Sequence, residues 1–333
     1  MKIQQSLDLR PEINKKGVRI GSLFSGGIDG MIQGFQMASK NYTPIISIDI
    51  DKQATDVLNY NYNHTILTKD IRSTSWKLYK NIDGLCITAP CQSYSTARNM
   101  NRSKMNEDEL IMGKELYLHG FRMLAMVQPE FYIAENVPEF LNYKIPTECF
   151  TELRPYDTYI VQADTLDFNL PQSRPRVFFV GFKRKWNNEL GKFNPFFHQL
   201  YNKKLYIKDI LEDNPEIHIP NYIKNRIKGN YRDLPSIKNI NDISNTCVAH
   251  YAKDQSTTMI TDDNGYKGLR PFTVREYARL QGILDSYSFS SIARTTAYKI
   301  IGNAVSPIVV RGFAKEIEKY CKYYNINNLN KVA

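Results

Sequence analysis

The chain has 333 residues, of which 42% are apolar and 23% charged, enough for one large domain or two ordinary ones. No apolar run approaches the roughly 20 residues of a membrane span, and the polar start Met1–Gly17 has neither the apolar stretch nor the small-residue site of a secretory signal, so it reads as a polar arm. Five cysteines (Cys86, Cys91, Cys149, Cys247, Cys321) with no Cys-x-x-Cys pair argue against a disulfide scaffold and a structural zinc site and predict a cytoplasmic protein. The formal net charge of +10 fits a polyanionic partner such as nucleic acid. It fits equally well a bias toward Asn, Ile and Lys in the composition.

In chain order, Val18–Phe24 (VRIGSLF) reads as a strand, succeeded by the Gly-rich turn Ser25–Gly30. Ile45–Ile50 (IISIDI) reads as a second strand and Lys52–Tyr60 as a helix. Gly84–Thr88 (GLCIT) is a third apolar run. Tyr117, Phe121 and Leu124 then share one helical face, and Pro129 ends that helix. Phe131–Ala134 (FYIA) is another buried strand. Strands alternating with helices predict an α/β fold with a parallel sheet, and chemistry at the carboxyl ends of its strands. The four strands run, in turn, into SGGIDG, Asp49-Ile50-Asp51, APCQ and ENVPEF (Glu135–Phe140). From about Phe182 to Gly268 the βαβ rhythm stops, which suggests a small domain or large insertion. Helical patterns return at Thr273–Leu280, at Ile300–Pro307 and in a terminal helix to about Tyr324.

Several residues in these loops are chemically suggestive. Gly26, Gly27 and Gly30 could let the backbone approach a nucleotide-like ligand, or simply make a tight βα turn. Asp49, 23 residues past Gly26 in the sequence, stands where a carboxylate accepts ribose hydroxyls in dinucleotide folds. Cys91 comes after Pro90, whose fixed φ can hold a thiol toward a cleft; an inert buried thiol is the competing reading. Glu135 ends a very apolar strand, where burial raises a carboxyl pKa and suits it to proton donation. Arg174 and Arg176, two apart before another strand, could face one anion or carbonyl oxygen together, or form surface ion pairs.

Together and in this order, these segments resemble the cytosine-5 DNA methyltransferases that use S-adenosylmethionine. LFSGG (Leu23–Gly27), SIDID (Ser47–Asp51) and KDI (Lys69–Ile71) are similar to the cofactor motifs. APCQSYS (Ala89–Ser95), ENVPEF and QSRPR (Gln172–Arg176) resemble the motifs of the nucleophile, the acid and the arginines. RPFTVREYARLQG (Arg270–Gly282) and YKIIGNAVSP (Tyr298–Pro307) resemble the last two. The likeness runs from Val18 to about Phe313, except for 183–267. Two departures stand out. The family's F-x-G-x-G-G here reads Phe24-Ser25-Gly26-Gly27-Ile28-Asp29-Gly30, and Ala89 stands where Phe or a second Pro is usual.

The resemblance implies a Rossmann-like doubly wound sheet that binds S-adenosylmethionine, with a second, smaller target-recognition domain. The expected organisation is an arm at 1–17, a catalytic domain at 18–182 plus 268–333, and a recognition domain at 183–267. It implies Cys91 as nucleophile toward cytosine C6, Glu135 on N3, Arg176 on O2, and Arg174 and Gln92 as supporting groups. Phe24, Ser25, Gly26, Gly27, Asp49, Ile50, Asp70, Ile71, Pro90, Asn303 and Val305 are the implied cofactor residues. Ser93, Ser95, Arg98, Lys183, Arg184, Lys203, Lys204, Lys224, Arg226 and Lys228 are candidates for contact with double-stranded DNA. A monomer is expected, because one chain supplies every motif. A cognate restriction endonuclease would act on the same site without stable binding. The rival readings are a tRNA cytosine-5 methyltransferase, a catalytically silent DNA-binding homologue and, on Asp49 and the glycine turn alone, a nicotinamide-dependent oxidoreductase.

Overall fold

In a computed structural model, residues 9–10, 17–91, 107–184, 204–229 and 236–323 are described. Seven strands form the main sheet: β1 Val18–Leu23, β2 Tyr42–Asp49, β3 Thr65–Thr68, β4 Gly84–Ile87, β5 Phe131–Asn136, β6 Tyr156–Ala163 and β7 Arg176–Lys183. Their order is β3-β2-β1-β4-β5-β7-β6. The pairs among β3, β2, β1, β4 and β5 are parallel, whereas β7 runs antiparallel to both β5 and β6. The sheet is therefore mixed rather than wholly parallel.

The central strands are short apolar runs because helices cover both faces of the sheet. Alternate residues serve the two sides. Ile20, Cys86, Ile133 and Val180 join one apolar cluster, and Leu85, Ile87, Tyr132 and Phe179 join the other. Helices α1 (Gly30–Ala38) and α2 (Lys52–Asn61) come after β1 and β2, and α3 (Glu107–Val127) precedes β5. Helix α4 (Lys144–Thr151) comes after β5. The terminal helix, α8 (Pro307–Tyr323), returns to the first sheet face. There Phe313 packs on Phe178 with ring centroids 4.4 Å apart, and the Tyr42 hydroxyl donates to the Ala314 carbonyl at 2.7 Å.

The antiparallel run of β7 sets the chemistry of the edge. Glu135 and Asn136 pair with Phe178 and Val177, so Arg176 starts its strand beside the carboxyl end of β5. Lys183 and Arg184 are carried to the opposite edge, roughly 23 Å away at strand rise.

The described part of 183–267 contains α5 (Asn221–Ile227) and most of a three-stranded sheet made of β8 (Ile237–Lys238), β9 (Met259–Tyr266) and β10 (Leu269–Pro271). Ile207, Ile210, Cys247, Tyr251 and Ile260 share the apolar cluster of α8. Helix α6 (Val274–Leu280) starts on a capping box between Thr273 and Glu276. Glu276 also receives a bidentate contact from Arg270, at 2.7 and 2.9 Å. Arg270 is only 1% exposed, and its Nε meets Asp262 at 2.6 Å. The charged residues of RPFTVREYARLQG thus begin as a buried scaffold. Helix α7 (Arg294–Asn303) is next and leads into α8.

Candidate active site

The ends of β1, β2 and β3 build one half of the cleft edge. Phe24 leaves β1 with φ 58°, a left-handed conformation that a bulky residue adopts only under constraint. Thr88 at the end of β4 supplies the constraint, donating to the carbonyls of Leu23 at 3.2 Å and Phe24 at 2.8 Å. The Ser25 hydroxyl donates to the Ile48 carbonyl at 3.2 Å. The loop glycines divide their roles. Gly26 has φ 58°, and a Cβ there would meet nothing within 4 Å, so it faces open space. A Cβ on Gly30 would overlap the Val305 carbonyl, so that glycine admits the chain between α7 and α8. Gly27 faces the Ile300 side chain rather than the opening.

Asp49 accepts the Gly26 N–H and the Asp51 N–H, each at 2.8 Å. Burial raises its pKa, against those two bonds. Ile50 beside it is 65% exposed, a large apolar side chain at a polar edge. An aliphatic face next to a carboxylate, over an open glycine backbone, fits a nucleoside: base on Ile50 and ribose hydroxyls on Asp49. Asp70 caps the short 3-10 turn Ile71–Ser73 and holds Arg72 at 2.6 Å, which keeps its carboxyl below the usual range. Ile71 is buried in the core and offers its carbonyl to Arg122 at 2.9 Å. Asn303 ends α7 exposed, and Val305 is buried against Gly30.

The ends of β4, β5 and β7 build the other half. Cys91 is joined to β4 through Ala89 and Pro90. The Asn136 amide donates to the Ala89 carbonyl at 3.4 Å and accepts the Val137 N–H at 2.9 Å, tying the β5 end to the cysteine loop. Glu135 and Arg176 form an ion pair, Nε to Oε1 3.0 Å, with side-chain exposures of only 10% and 15%. Burial raises the Glu135 pKa, opposed first by Arg176. Burial also pushes the Cys91 thiol up, again opposed first by Arg176 and reinforced by Glu135. Cys91, Glu135 and Arg176 thus sit within electrostatic reach of one another, and burial favours the thiol form of Cys91.

Arg174 behaves differently from its neighbour. The expectation of two guanidiniums on one strand face fails, because β7 begins only at Arg176. Arg174 is buried and donates to three carbonyls: Cys247 at 2.9 Å, Gly302 at 3.0 Å and Ala304 at 3.0 Å. It closes the carboxyl end of α7, where cations are favoured. Desolvation lowers its pKa to about 10. Arg174 is therefore a positioning residue, not a second anion holder.

Three residues with work at this edge stand outside the site residues expected from the sequence, although Asn136 lies within ENVPEF and Gln172 within QSRPR. Thr88 holds the loop after β1, and Asn136 holds the cysteine loop. Gln172, fully buried, donates to the Leu280 carbonyl at 2.9 Å and accepts the Cys247 N–H at 2.6 Å. Each is an uncharged polar residue in an apolar setting, a signal that burial would demand a partner.

Lys183 pairs with Glu130 at 2.9 Å and Arg184 with Asp157 at 3.1 Å, on the edge opposite Cys91. Both charges are thus held in ion pairs near the far end of β7. Arg226 pairs with Asp254 at 2.8 Å, and Lys224 lies over the Tyr266 ring at 5.9 Å. Lys204 is exposed, with its ammonium 5.7 Å from the Tyr206 ring, and Lys228 is exposed at the end of α5. Gln92, Ser93, Ser95, Arg98 and Lys203 lie outside the described residues. An open cleft of about 480 Å³ lies beside Ser173, with Lys238, Asn245, Thr246 and His250 on its walls. No helix among the described residues is long and apolar enough to cross a membrane.

The sequence profile described as C-5 cytosine-specific DNA methylase matches residues 18–319. The Type II methyltransferase M.FnuDI of Fusobacterium nucleatum is 27% identical, over 91% of this chain and 94% of its own length. The Type II methyltransferase M.DdeI of Desulfomicrobium norvegicum is 25% identical, over 95% of this chain and 92% of its own. Among solved structures, the S. pombe Dnmt2 methyltransferase superposes with a TM-score of 0.73 at 22% identity, covering 92% of this chain and 99% of that one.

Proposed function

Because the chain belongs to the C-5 cytosine-specific DNA methylase family, we propose that it methylates C5 of one cytosine within a short duplex DNA sequence, through a covalent bond between Cys91 and C6 of the base. The observation that carries this reading is the convergence of Cys91, Glu135 and Arg176 at one edge of the sheet.

Cytosine C5 is a poor nucleophile. Cys91, once deprotonated, adds to C6 and makes C5 enamine-like. The electrons displaced from the C5–C6 bond move toward N3 and O2. Glu135, kept protonatable by burial, places a proton at N3. The Arg176 guanidinium donates to O2 and so stabilises charge that develops only on addition. S-adenosylmethionine, the family's cofactor, supplies an electrophilic methyl group. Phe24, Gly26, Asp49, Ile50 and Asp70 are the residues that would hold it. After transfer, loss of the C5 proton and departure of the Cys91 thiolate restore the aromatic ring. Burial disfavours the Cys91 thiolate and the nearby Arg176 opposes that effect.

C6 is unreachable in a stacked duplex, so the base must leave the helix at a cost of a few kcal/mol. The segment after Cys91, with Gln92, Ser93, Ser95 and Arg98, is proposed to close over the flipped base. Residues 183–267 are proposed to read the sequence, with the polar cleft beside Ser173 on the duplex-facing side. We read the chain as a monomer, with a cognate endonuclease acting on the same site independently.

The test is base-resolution cytosine methylation of genomic DNA after expression in a host with no cytosine methylation. Methylation at one short motif, abolished by Cys91→Ala, is the expected result. Unmethylated DNA with a methylated tRNA pool would move the substrate to RNA. Neither, from a protein that binds the cofactor, would sink the enzymatic reading.

A further inference from the structure

Residues 243–250 supply much of the wall of the open cleft beside Ser173, yet they lie in no strand or helix. Side chains hold this stretch instead. The Cys247 N–H donates to the Gln172 side-chain carbonyl at 2.6 Å, and the Cys247 carbonyl accepts from Arg174 at 2.9 Å. At Val248 one hydroxyl serves both backbone groups. The Tyr277 hydroxyl accepts the Val248 N–H at 2.6 Å and donates to the Val248 carbonyl at 3.1 Å. Two consecutive residues therefore have all four backbone polar groups bound to side chains, where a strand would bind them to a neighbouring chain.

Thr257 and Thr258, also on the cleft wall, are held in a similar way. The Tyr251 hydroxyl donates to the Thr258 carbonyl at 2.8 Å and accepts the Phe272 N–H at 3.0 Å. Tyr251 and Tyr277 stack, with ring centroids 4.4 Å apart and planes 14° apart. Tyr298, from α7, packs edge-on against both rings, at 5.3 and 5.4 Å. Its hydroxyl donates to the Phe272 carbonyl at 2.6 Å, and Phe272 does not line the cleft. All three rings are buried. Phenylalanine would fill the same space and stack as well, so packing alone does not call for these hydroxyls. Their bonds fix backbone that has no other regular support.

We propose that Tyr277 and Tyr251 are positioning residues for sequence specificity: their hydroxyls fix Val248 and Thr258, and with them the cleft wall, in the geometry that admits the preferred duplex sequence and rejects its near neighbours. The inference rests on the reading that this cleft faces duplex DNA. Discrimination needs groups held within about 0.5 Å of their working positions. A wall free to shift can follow a wrong base pair and make bonds to it, which lowers the penalty for the mismatch. The wall is also continuous with the chemistry. Thr246 donates to the Ser173 carbonyl at 2.6 Å, and the chain from Ser173 leads directly through Arg174 to Arg176.

The experiment gives the full chain and S-adenosylmethionine a pool of duplex oligonucleotides in which a randomised segment surrounds a cytosine. Base-resolution sequencing at short reaction times yields a methylation rate for every sequence. The quantity read is the rate on the preferred site over the rate on its best single-mismatch site. A mismatched base pair typically lowers binding roughly 5- to 150-fold. Tyr277→Phe and Tyr251→Phe should each lower the wild-type ratio roughly three- to tenfold, a part of that penalty. Tyr298→Phe removes a hydroxyl from the same group of rings without releasing the wall, and it should keep the wild-type ratio. An unchanged ratio in either Tyr277→Phe or Tyr251→Phe would overturn the inference alone. An equal fall in Tyr298→Phe would do so too, because it would mark a general loosening of the rings. A wild type that methylates no duplex in the pool would overturn the DNA reading and the inference together.

Discussion

Arg174 and Arg176 stand two residues apart, yet replacing each by methionine should have opposite signatures. Arg174 donates to three carbonyls at 2.9 to 3.0 Å from two distant segments. Hydrogen bonds to a charged group contribute about 1.5–3 kcal/mol each. Against them stands burial of the guanidinium, whose pKa falls from 12.5 to about 10 and whose Nε has no partner. At 1.36 kcal/mol per unit, that costs about 3 kcal/mol. The difference leaves a net loss of about 1–6 kcal/mol for Arg174→Met, or roughly 1.5–8 °C in Tm for a chain of this size. Arg176 makes one ion pair, with Glu135 at 3.0 Å. Without it Glu135 takes up a proton, so Arg176→Met should cost about 1 kcal/mol or less in stability. Its cost falls on turnover, roughly 10²–10³ in single-turnover rate, since it is the donor proposed for O2. The assay pairs calorimetric Tm with single-turnover methylation about 20 °C below either Tm. An unchanged Tm for Arg174→Met would refute the account of Arg174. Equal Tm losses in the two variants would refute the division of roles.

Glu135→Gln should lower kcat by roughly 10²–10⁴. The wild-type rate should decline on the alkaline side as Glu135, raised by burial, loses its proton, and a pH–rate profile of the Gln variant should lack that limb. Alkylation of Cys91 by iodoacetamide in the free protein should be slow at neutral pH and accelerate with rising pH, because burial holds the thiol protonated. Arg176→Met should slow it further at fixed pH, since Arg176 opposes that rise; mass spectrometry of the Cys91 peptide reads both. Gly30→Ala places a Cβ on the Val305 carbonyl and should cost about 1–3 kcal/mol in denaturant unfolding. Gly26→Ala meets no atom but strains φ 58°, about 1–2 kcal/mol. Its larger effect should be weaker S-adenosylmethionine binding, read by calorimetric titration.

The parts of this fold that were legible in sequence are those set by local pattern. VRIGSL, GLCI and FYIA are buried on both faces, so their apolar runs announce strands and their ends announce Phe24, Cys91 and Glu135. Strand direction leaves no such mark. Nothing in RVFFVGFK says that β7 runs against β5; the family resemblance alone set Arg176 and Glu135 around one base, and nothing placed Lys183 at the far edge. Strand β6, at the sheet margin, alternates too weakly in YDTYIVQA to register as a strand. The spacing of Arg174 and Arg176 misled for a related reason, because i and i+2 share a face only where both lie in the strand.

The residues that hold the loops were illegible because their partners are remote. Asn136 reaches 47 residues back to Ala89, Thr88 reaches 64 back to Phe24, and Gln172 reaches 108 forward to Leu280. The same logic separates two buried carboxylates. Glu135 sits at a strand end with an arginine at 3.0 Å, so a sequence containing both could suggest their meeting. Asp29 sits in a turn, and its bonds to Ser22 and Ser47 are evident only once β1 and β2 are in place.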